Sequence, residues 1–442
     1  MKKLEGFASF IRSLSPVRLV ALGYLSYVLA GWLALSLPFM QRGAGVPSLD
    51  NLFVSVSAVS TTGLCPVSVS QDYSFLGQLV VLILIQLGGL GYMTAGSFVV
   101  LARTGAMSDL RAGVLNNVFS LPDNFRIDKF IRSVVKFTLA VELAGAVALF
   151  MVFRAAGAPI PLWNSIFHSV SAFCTAGFSL FDTSLESYAH NFWLNAIVSV
   201  LSILGAVGFI VFVDVWRRLR GKIPHITFTS KIILCTSFWL LVAGTVILAA
   251  TEPQVQSLPP HRRIVVSFFQ AMTAMTTVGF NSVPIGAIAR SSLVLLTILM
   301  IIGASPAGTG GGIKSTTFTA MVGVVRGALR GETKVTFLGR EIPERRVRSA
   351  MANVWFYLFA LAAGIFALSL TEPASLQDIT FEAASALGTV GLSTGITSSL
   401  TCLGKILIIA LMFVGRLGPL TFALAFSGLR APAELKPEDV AI

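Results

Sequence analysis

Charge is scarce in this chain. Only 12% of its 442 residues are Asp, Glu, Lys or Arg, about half the share usual in soluble domains. With 55% hydrophobic residues and a mean hydropathy of +0.82, the chain is too long and too apolar for one soluble core, and it reads as a polytopic membrane protein. Cysteine and histidine are scarce too, at four each. Cys65, Cys174, Cys235 and Cys402 form no C-x-x-C pair, which excludes a zinc ribbon or a disulfide framework. Cys65 and Cys174 read as small packing residues. His168, His190, His225 and His261 are too dispersed for a metal cluster. There is no G-x-G-x-x-G unit, no carboxylate pair and no nucleophile constellation. The expectation is therefore a protein that is not an enzyme and holds no cofactor.

The net charge of +12 does not indicate a nucleic-acid partner, because the basic residues collect in alternate loops. Lys2, Lys3, Arg12 and Arg18 precede the first apolar run. Arg103, Arg111, Arg126, Lys129, Arg132 and Lys136 follow the second, Arg217, Arg218, Arg220, Lys222 and Lys231 the fourth, and Arg326, Arg330, Lys334, Arg340, Arg345, Arg346 and Arg348 the sixth. The runs span residues 19–39, 76–101, 137–153, 192–215, 232–250, 293–302, 354–370 and 406–425. Most approach the roughly 20 residues that a helix needs to cross a bilayer. The positive-inside rule then predicts eight crossings with both termini cytoplasmic.

Within this apolar frame a pattern occurs four times: Phe-x-x-x-[Ser/Thr]-Ala-x-x-Thr-x-Gly-[Leu/Phe], at 53–64, 167–178, 269–280 and 381–392. Its glycines lie 114, 102 and 112 residues apart, a spacing that predicts four structural repeats. The Phe and Ser/Thr, four apart, share one face of a short helix. The Thr-x-Gly end resists helix and predicts an extended loop. Such backbone is tolerated at membrane depth only when buried in protein or lining a water-filled cavity. The predicted fold is an all-α polytopic membrane protein of four pseudo-symmetric helix–pore-loop–helix repeats around a central pore. The repeats divide at residues 1–110, 111–230, 231–345 and 346–442. A ring of backbone carbonyls can replace the hydration shell of a cation. The candidate ion-binding residues are Thr61, Thr62 and Gly63; Thr175, Ala176 and Gly177; Thr277, Val278 and Gly279; and Thr389, Val390 and Gly391.

Each repeat also carries small residues beyond its motif: Gly88 and Gly91, Gly205 and Gly208, Gly303 and Pro306, Gly415 and Gly418. Such residues let helices approach closely or bend, and close packing is the expected role in repeats one, two and four. The third differs, because 303–316 reads GASPAGTGGGIKST and no regular helix survives this density of Gly and Pro. A loop below the candidate filter would obstruct passage, so Gly310, Gly311 and Gly312 are the candidate gate. Lys314 and Arg416 join them, as basic residues at or near membrane depth. The stretch misses the phosphate-loop pattern because Ile313 separates Gly312 from Lys314. Asp214, at the inner end of the fourth run, reads as an interface residue, with attraction of cations to the cytoplasmic mouth as the alternative.

Together the four motifs, 86–91 (QLGGLG), 309–314 (TGGGIK), 339–343 (GREIP) and 415–419 (GRLGP) make the chain resemble the Trk/Ktr/HKT superfamily of bacterial potassium transporters. Its length is most similar to the Ktr-type membrane subunit. The resemblance implies potassium as the permeant ion and a homodimer with one pore per protomer in the cytoplasmic (inner) membrane. It also implies regulation by a separate cytosolic nucleotide-binding ring of RCK type, with the basic loops and the tail from Pro432 as docking surfaces. Gly63, where sodium-preferring relatives carry Ser, favours potassium. Thr276 departs from relatives with Arg there, which bears on an outer-mouth salt bridge. The alternative reading is a sodium- or proton-coupled potassium symporter.

Overall fold

The computed structural model describes residues 16–91 and 127–426, apart from the single positions 44, 222, 307 and 333. Lys2, Lys3, Arg12, Arg103, Arg111, Arg126, Lys222, the far end of the second apolar run and the tail from Pro432 lie outside the described residues.

Four units follow one another. The first has helix α1 (Pro16–Leu35), a short helix α2 (Ser48–Val59) and α3 (Phe75–Gln86), which runs into a π turn at Leu87–Gly91. The second has α4 (Ile127–Ala155), the short α5 (Pro161–Phe173), then α6 (Phe192–Val207) and α7 (Phe209–Leu219). The third has α8 (Phe228–Thr251), the short α9 (Pro260–Thr276), then α10 (Arg290–Ile301) and α11 (Ser315–Arg330). The fourth has α12 (Glu344–Thr371), the short α13 (Leu376–Gly388), then α14 (Cys402–Leu417) and α15 (Pro419–Phe426). A two-stranded hairpin, Thr336–Phe337 with Arg340–Glu341, precedes α12.

Local chemistry starts these helices. Proline opens α5 and α9 at the first turn, where a missing N–H costs nothing. Ser74, Asn191, Thr227, Ser375 and Thr401 cap α3, α6, α8, α13 and α14, each side chain accepting a backbone N–H of the first turn. Glu252 and Glu372 end α8 and α12, and each carboxylate reaches across its unit to the outgoing helix. Glu252 accepts from the Ala289 amide at 3.1 Å and Glu372 from the Thr401 amide at 3.1 Å.

Three described helices are long and apolar enough to cross a membrane: Arg132–Ala155 within α4, α8 and α12. A fourth arises if Phe192–Val207 and Val211–Leu219, bent by 99°, form one broken span. Much of the shortfall against eight continuous crossings has a physical cause, because the second helix of units two, three and four is interrupted. In unit one α1 counts only as a shorter apolar helix, Val20–Leu35, and the residues beyond Gly91 lie outside the described ones. The interruptions are Gly208 at a φ of 91°, the stretch 303–314 and Gly418 at a φ of 82°, while in unit one α3 passes into the π turn at Leu87–Gly91. The break expected in the third unit alone is thus shared by units two and four, and in the third it has been extended into a loop.

Each short helix packs between the two longer helices of its own unit. Between units, α3 packs on α5, α6 on α9, α10 on α13 and α14 on α2. That order closes a ring.

Candidate functional site

The four motif phenylalanines, Phe53, Phe167, Phe269 and Phe381, are fully buried and anchor the short helices. At each C-terminus the same two backbone bonds recur. Thr61, Thr175, Thr277 and Thr389 donate their N–H groups to the motif alanines, Ala58, Ala172, Ala274 and Ala386, at 3.1–3.3 Å. Thr62, Ala176, Val278 and Val390 donate to the carbonyls of Ser57, Ser171, Thr273 and Ser385 at 2.8–3.1 Å. These bonds turn the chain sharply. The four threonines adopt φ values of 52°, 51°, 58° and 49°, a left-handed conformation that is unusual for a β-branched residue. With the N–H groups bound back to the helix, the carbonyls are left over. No donor among the described residues reaches the carbonyl oxygens of the twelve candidate ion-binding residues.

The glycines show how the loops meet. A Cβ on Gly63 would overlap the Ala176 carbonyl oxygen, one on Gly177 that of Val278, one on Gly279 that of Val390, and one on Gly391 that of Thr62. The sequence runs from unit one to two, three, four and back to one, so the four loops close a ring in which each glycine abuts the carbonyl oxygen of Ala176, Val278, Val390 or Thr62 in the next unit. The φ values of Gly63, Gly177, Gly279 and Gly391, 97°, 65°, 81° and 98°, add a second reason for glycine.

The ring is not uniform in its support. In units one and four the motif serine hydroxyl accepts from the glycine N–H, Ser57 from Gly63 and Ser385 from Gly391, both at 3.0 Å. Ser171 instead donates to the Phe178 carbonyl at 2.8 Å. The hydroxyl of Thr273 is buried without a partner.

The stretch 303–314 lies directly against this ring. Its Thr309 hydroxyl is 3.0 Å from that of Thr175 and donates to the Phe173 carbonyl at 3.2 Å. The Gly311 amide donates to the Thr277 hydroxyl at 3.1 Å. Gly310 and Gly311 are so close to the hydroxyls of Thr277 and Thr389 that a Cβ on either would overlap them. The Thr309 carbonyl faces Thr61. All four motif threonines therefore touch one loop. On the other side the loop is held by the carbonyls of Gly205 and Ala206, which accept from Thr309 and Ser305 at 3.0 Å.

Both basic residues singled out from the sequence reach this loop. Arg416 Nη1 donates to the Thr309 carbonyl at 2.6 Å and to the Thr61 hydroxyl at 2.9 Å, and its Nη2 donates to the Gly88 carbonyl in the π turn. Lys314 does not extend away; its Nζ turns back to the Gly310 carbonyl at 2.6 Å. The glycines beyond the motifs pack as expected in units one, two and four. A Cβ on Gly88, Gly205 or Gly415 would overlap the carbonyl of Val59, Phe173 or Leu387, the equivalent position at the end of each short helix. At Gly303 the loop's own Gly311 takes that place.

Two smaller expectations are settled by contacts. Asp214 accepts from the Thr227 amide and hydroxyl and from Ser230 Oγ, which ties α7 to the start of α8 as an interface residue. Thr276 is buried, its hydroxyl donates to the Met272 carbonyl at 2.7 Å and its carbonyl lies beside Gly310, so this position faces the loop at 303–314.

The sequence reading missed three features. Thr309 is the hub of the loop's contacts. The residue after each motif phenylalanine forms a strap in units two to four. His168 Nε2 is 2.9 Å from Ser179 Oγ, Gln270 Oε1 accepts from the Ser282 amide at 3.1 Å, and Glu382 accepts from Thr397. Each strap ties a short helix to the segment leaving its loop, and their common offset in the motif was available as a signal. The third feature is a strut between units one and two. Asp182 accepts from Ser68 at 2.6 Å, from Gln71 at 2.5 Å and from Ser70 at 3.1 Å, bonds that hold its carboxyl below the ordinary range.

Comparison with known proteins gives the family and the fold. Residues 31–433 match the family model described as TrkH, cation transport protein. The chain belongs to the TrkH family of cation transport proteins. It is 35% identical to the potassium/sodium uptake protein NtpJ of Enterococcus hirae, over 97% of each chain. It is 34% identical to the Ktr system potassium uptake protein B of Bacillus subtilis, over 93% of each. The protein of the same name from Vibrio alginolyticus is 33% identical, over 96% of this chain and 94% of its own. The crystal structure of the potassium transporter TrkH from Vibrio parahaemolyticus superposes with a TM-score of 0.70 at 21% identity, covering 92% of this chain and 85% of that one. It shares the fold of this TrkH family member.

Proposed function

We propose that this chain is the membrane subunit of a potassium uptake system and forms a gated, channel-like pathway. The observation that carries the reading is the closed ring of donor-free carbonyls with a loop laid across it. The oxygens of Thr61–Gly63, Thr175–Gly177, Thr277–Gly279 and Thr389–Gly391 would replace the water of a dehydrated potassium ion. They bind without a full negative charge that would trap the ion. The division into units at residues 110, 230 and 345 belongs to this reading.

The loop at 303–314 is the gate, and the geometry described is its closed form. Arg416 holds it by donating to Thr309, and it places a fixed positive charge beside the pathway. Lys314 stiffens the loop through Gly310. A guanidinium suits this latch because its planar fork donates to several carbonyls at once. Opening requires those bonds to break together. Signals for opening come from a second chain, a cytosolic nucleotide-binding ring that docks on the basic loops of a homodimer in the bacterial inner membrane.

Uptake needs no coupled energy source. A membrane potential supplies about 2.3 kcal/mol per charge per 100 mV, enough for roughly fiftyfold accumulation. Potassium flux into liposomes containing the purified chain tests the reading. Arg416→Ala and deletion of residues 310–312 are each expected to raise flux in folded protein, and unchanged or lost flux would refute the gate. A reversal potential set by potassium alone would rule out obligatory coupling to sodium or protons.

A further inference from the structure

Glu142 lies within α4, buried at 5% exposure in the apolar part of a spanning helix. A carboxyl at such depth is costly and asks for a role. Its Oε2 accepts from Gln86 Nε2 at 3.2 Å, and its Oε1 is 3.7 Å from Cys174 Sγ. The same Sγ lies 3.8 Å from Gln86 Oε1. The three side chains form a triangle joining α3, α4 and α5. The Glu142 carbonyl also accepts from Ser169 on α5 at 2.7 Å.

The triangle stands where two arms begin. Gln86 is the last residue of α3, just before the π turn whose Gly88 carbonyl accepts from Arg416. Cys174 caps α5 and precedes Thr175, whose hydroxyl meets Thr309. Both arms converge on one residue of the loop. The first reaches the Thr309 carbonyl through Arg416, and the second reaches its hydroxyl through Thr175. Gly89, inside the π turn, packs against Cys174 Sγ so closely that a Cβ would overlap it. The two arms therefore share a rigid root.

We infer that Glu142 is a positioning residue for the closed loop, holding the Gln86 and Cys174 arms in the geometry that grips Thr309. This rests on the reading of 303–314 as the gate. Its acceptor oxygens matter here because a half-buried amide such as that of Gln86, left without its partner, shifts to find another. A shift at Gln86 moves the π turn and the Gly88 carbonyl, and with them the Arg416 latch.

The test uses the full chain in liposomes, with potassium flux and thermal stability in detergent measured together. Glu142→Leu is expected to raise flux roughly fivefold, the weight of about one hydrogen bond. Glu142→Gln retains an acceptor and is expected to restore flux toward the parent rate. The double variant with Arg416→Ala is expected to fall short of the product of the single effects, as coupled residues do. Unchanged or reduced flux in folded Glu142→Leu, or effects that simply multiply, would overturn the inference. Raised flux in Arg416→Ala with parental flux in Glu142→Leu would overturn the inference alone. Parental flux in Arg416→Ala would overturn the gate reading itself. Where Glu142→Leu does not assemble, Gln86→Met cuts the same triangle and is judged by the same outcomes.

Discussion

Four threonines share one strained backbone conformation, yet they do different work. Left-handed backbone costs about 1–3 kcal/mol at a residue with a side chain, and the recurring bonds from the Thr and following N–H groups offset it. Their hydroxyls then diverge. Thr277 accepts from the Gly311 amide, whereas the buried Thr389 hydroxyl has no hydrogen-bond partner among the described residues. Thr277→Val, which keeps the shape, is expected to raise basal potassium flux roughly fivefold by leaving the Gly311 amide unpaired. Thr389→Val is expected to leave it near the parental rate, and the two measured side by side check the assignment. Arg416 and the loop glycines were legible in the sequence, because a buried cation and a glycine run are rare at membrane depth. Thr309 was not. Its partners lie 107, 134 and 248 positions away, and no local pattern marks a threonine for contacts of that range.

At the scale of elements, one glycine pattern performs two tasks. In Gly205-x-x-Gly208 the first glycine admits the Phe173 carbonyl and the second takes a φ of 91° that ends α6. The spacing announced a close approach or a bend without saying which, since both uses demand the same residue and only the backbone angle separates them. Gly205→Ala is expected to lower the melting temperature in detergent sharply, because the Phe173 carbonyl cannot move without the motif loop. Gly23→Ala in α1, where nothing lies within 4 Å of the added methyl, is expected to hold or raise it, by up to about 1 kcal/mol of helix propensity. The short helices themselves were readable from the motif. Their straps were overlooked because His168, Gln270 and Glu382 differ in chemistry while sharing one position.

Across the whole molecule the ring must close between its last unit and its first. Lys405 on α14 donates to Asp50 on α2 at 2.5 Å, with side chains 16% and 8% exposed. Removing one partner of a buried pair typically costs about 3–5 kcal/mol, so Lys405→Met is expected to destabilise the folded chain markedly. Arg348→Met breaks the Arg348–Glu344 pair, whose side chains are 77% and 76% exposed. It is expected to change stability by no more than about 0.5 kcal/mol. Thermal unfolding of both variants in one detergent separates the two cases. The four-unit architecture was visible in sequence because the motif repeats at even spacing. The closing pair was not, since nothing local links residues 355 positions apart.

That closure also sets an order of events during synthesis. The carbonyl of Thr62 meets Gly391 only after the fourth unit has been made, so a nascent chain carries an unfinished ring through most of its translation. Contacts of such sequence separation form late. A chain stopped short of its fourth motif would not be a weaker transporter but an open arc of unpaired carbonyls in the bilayer, a substrate for quality-control proteolysis.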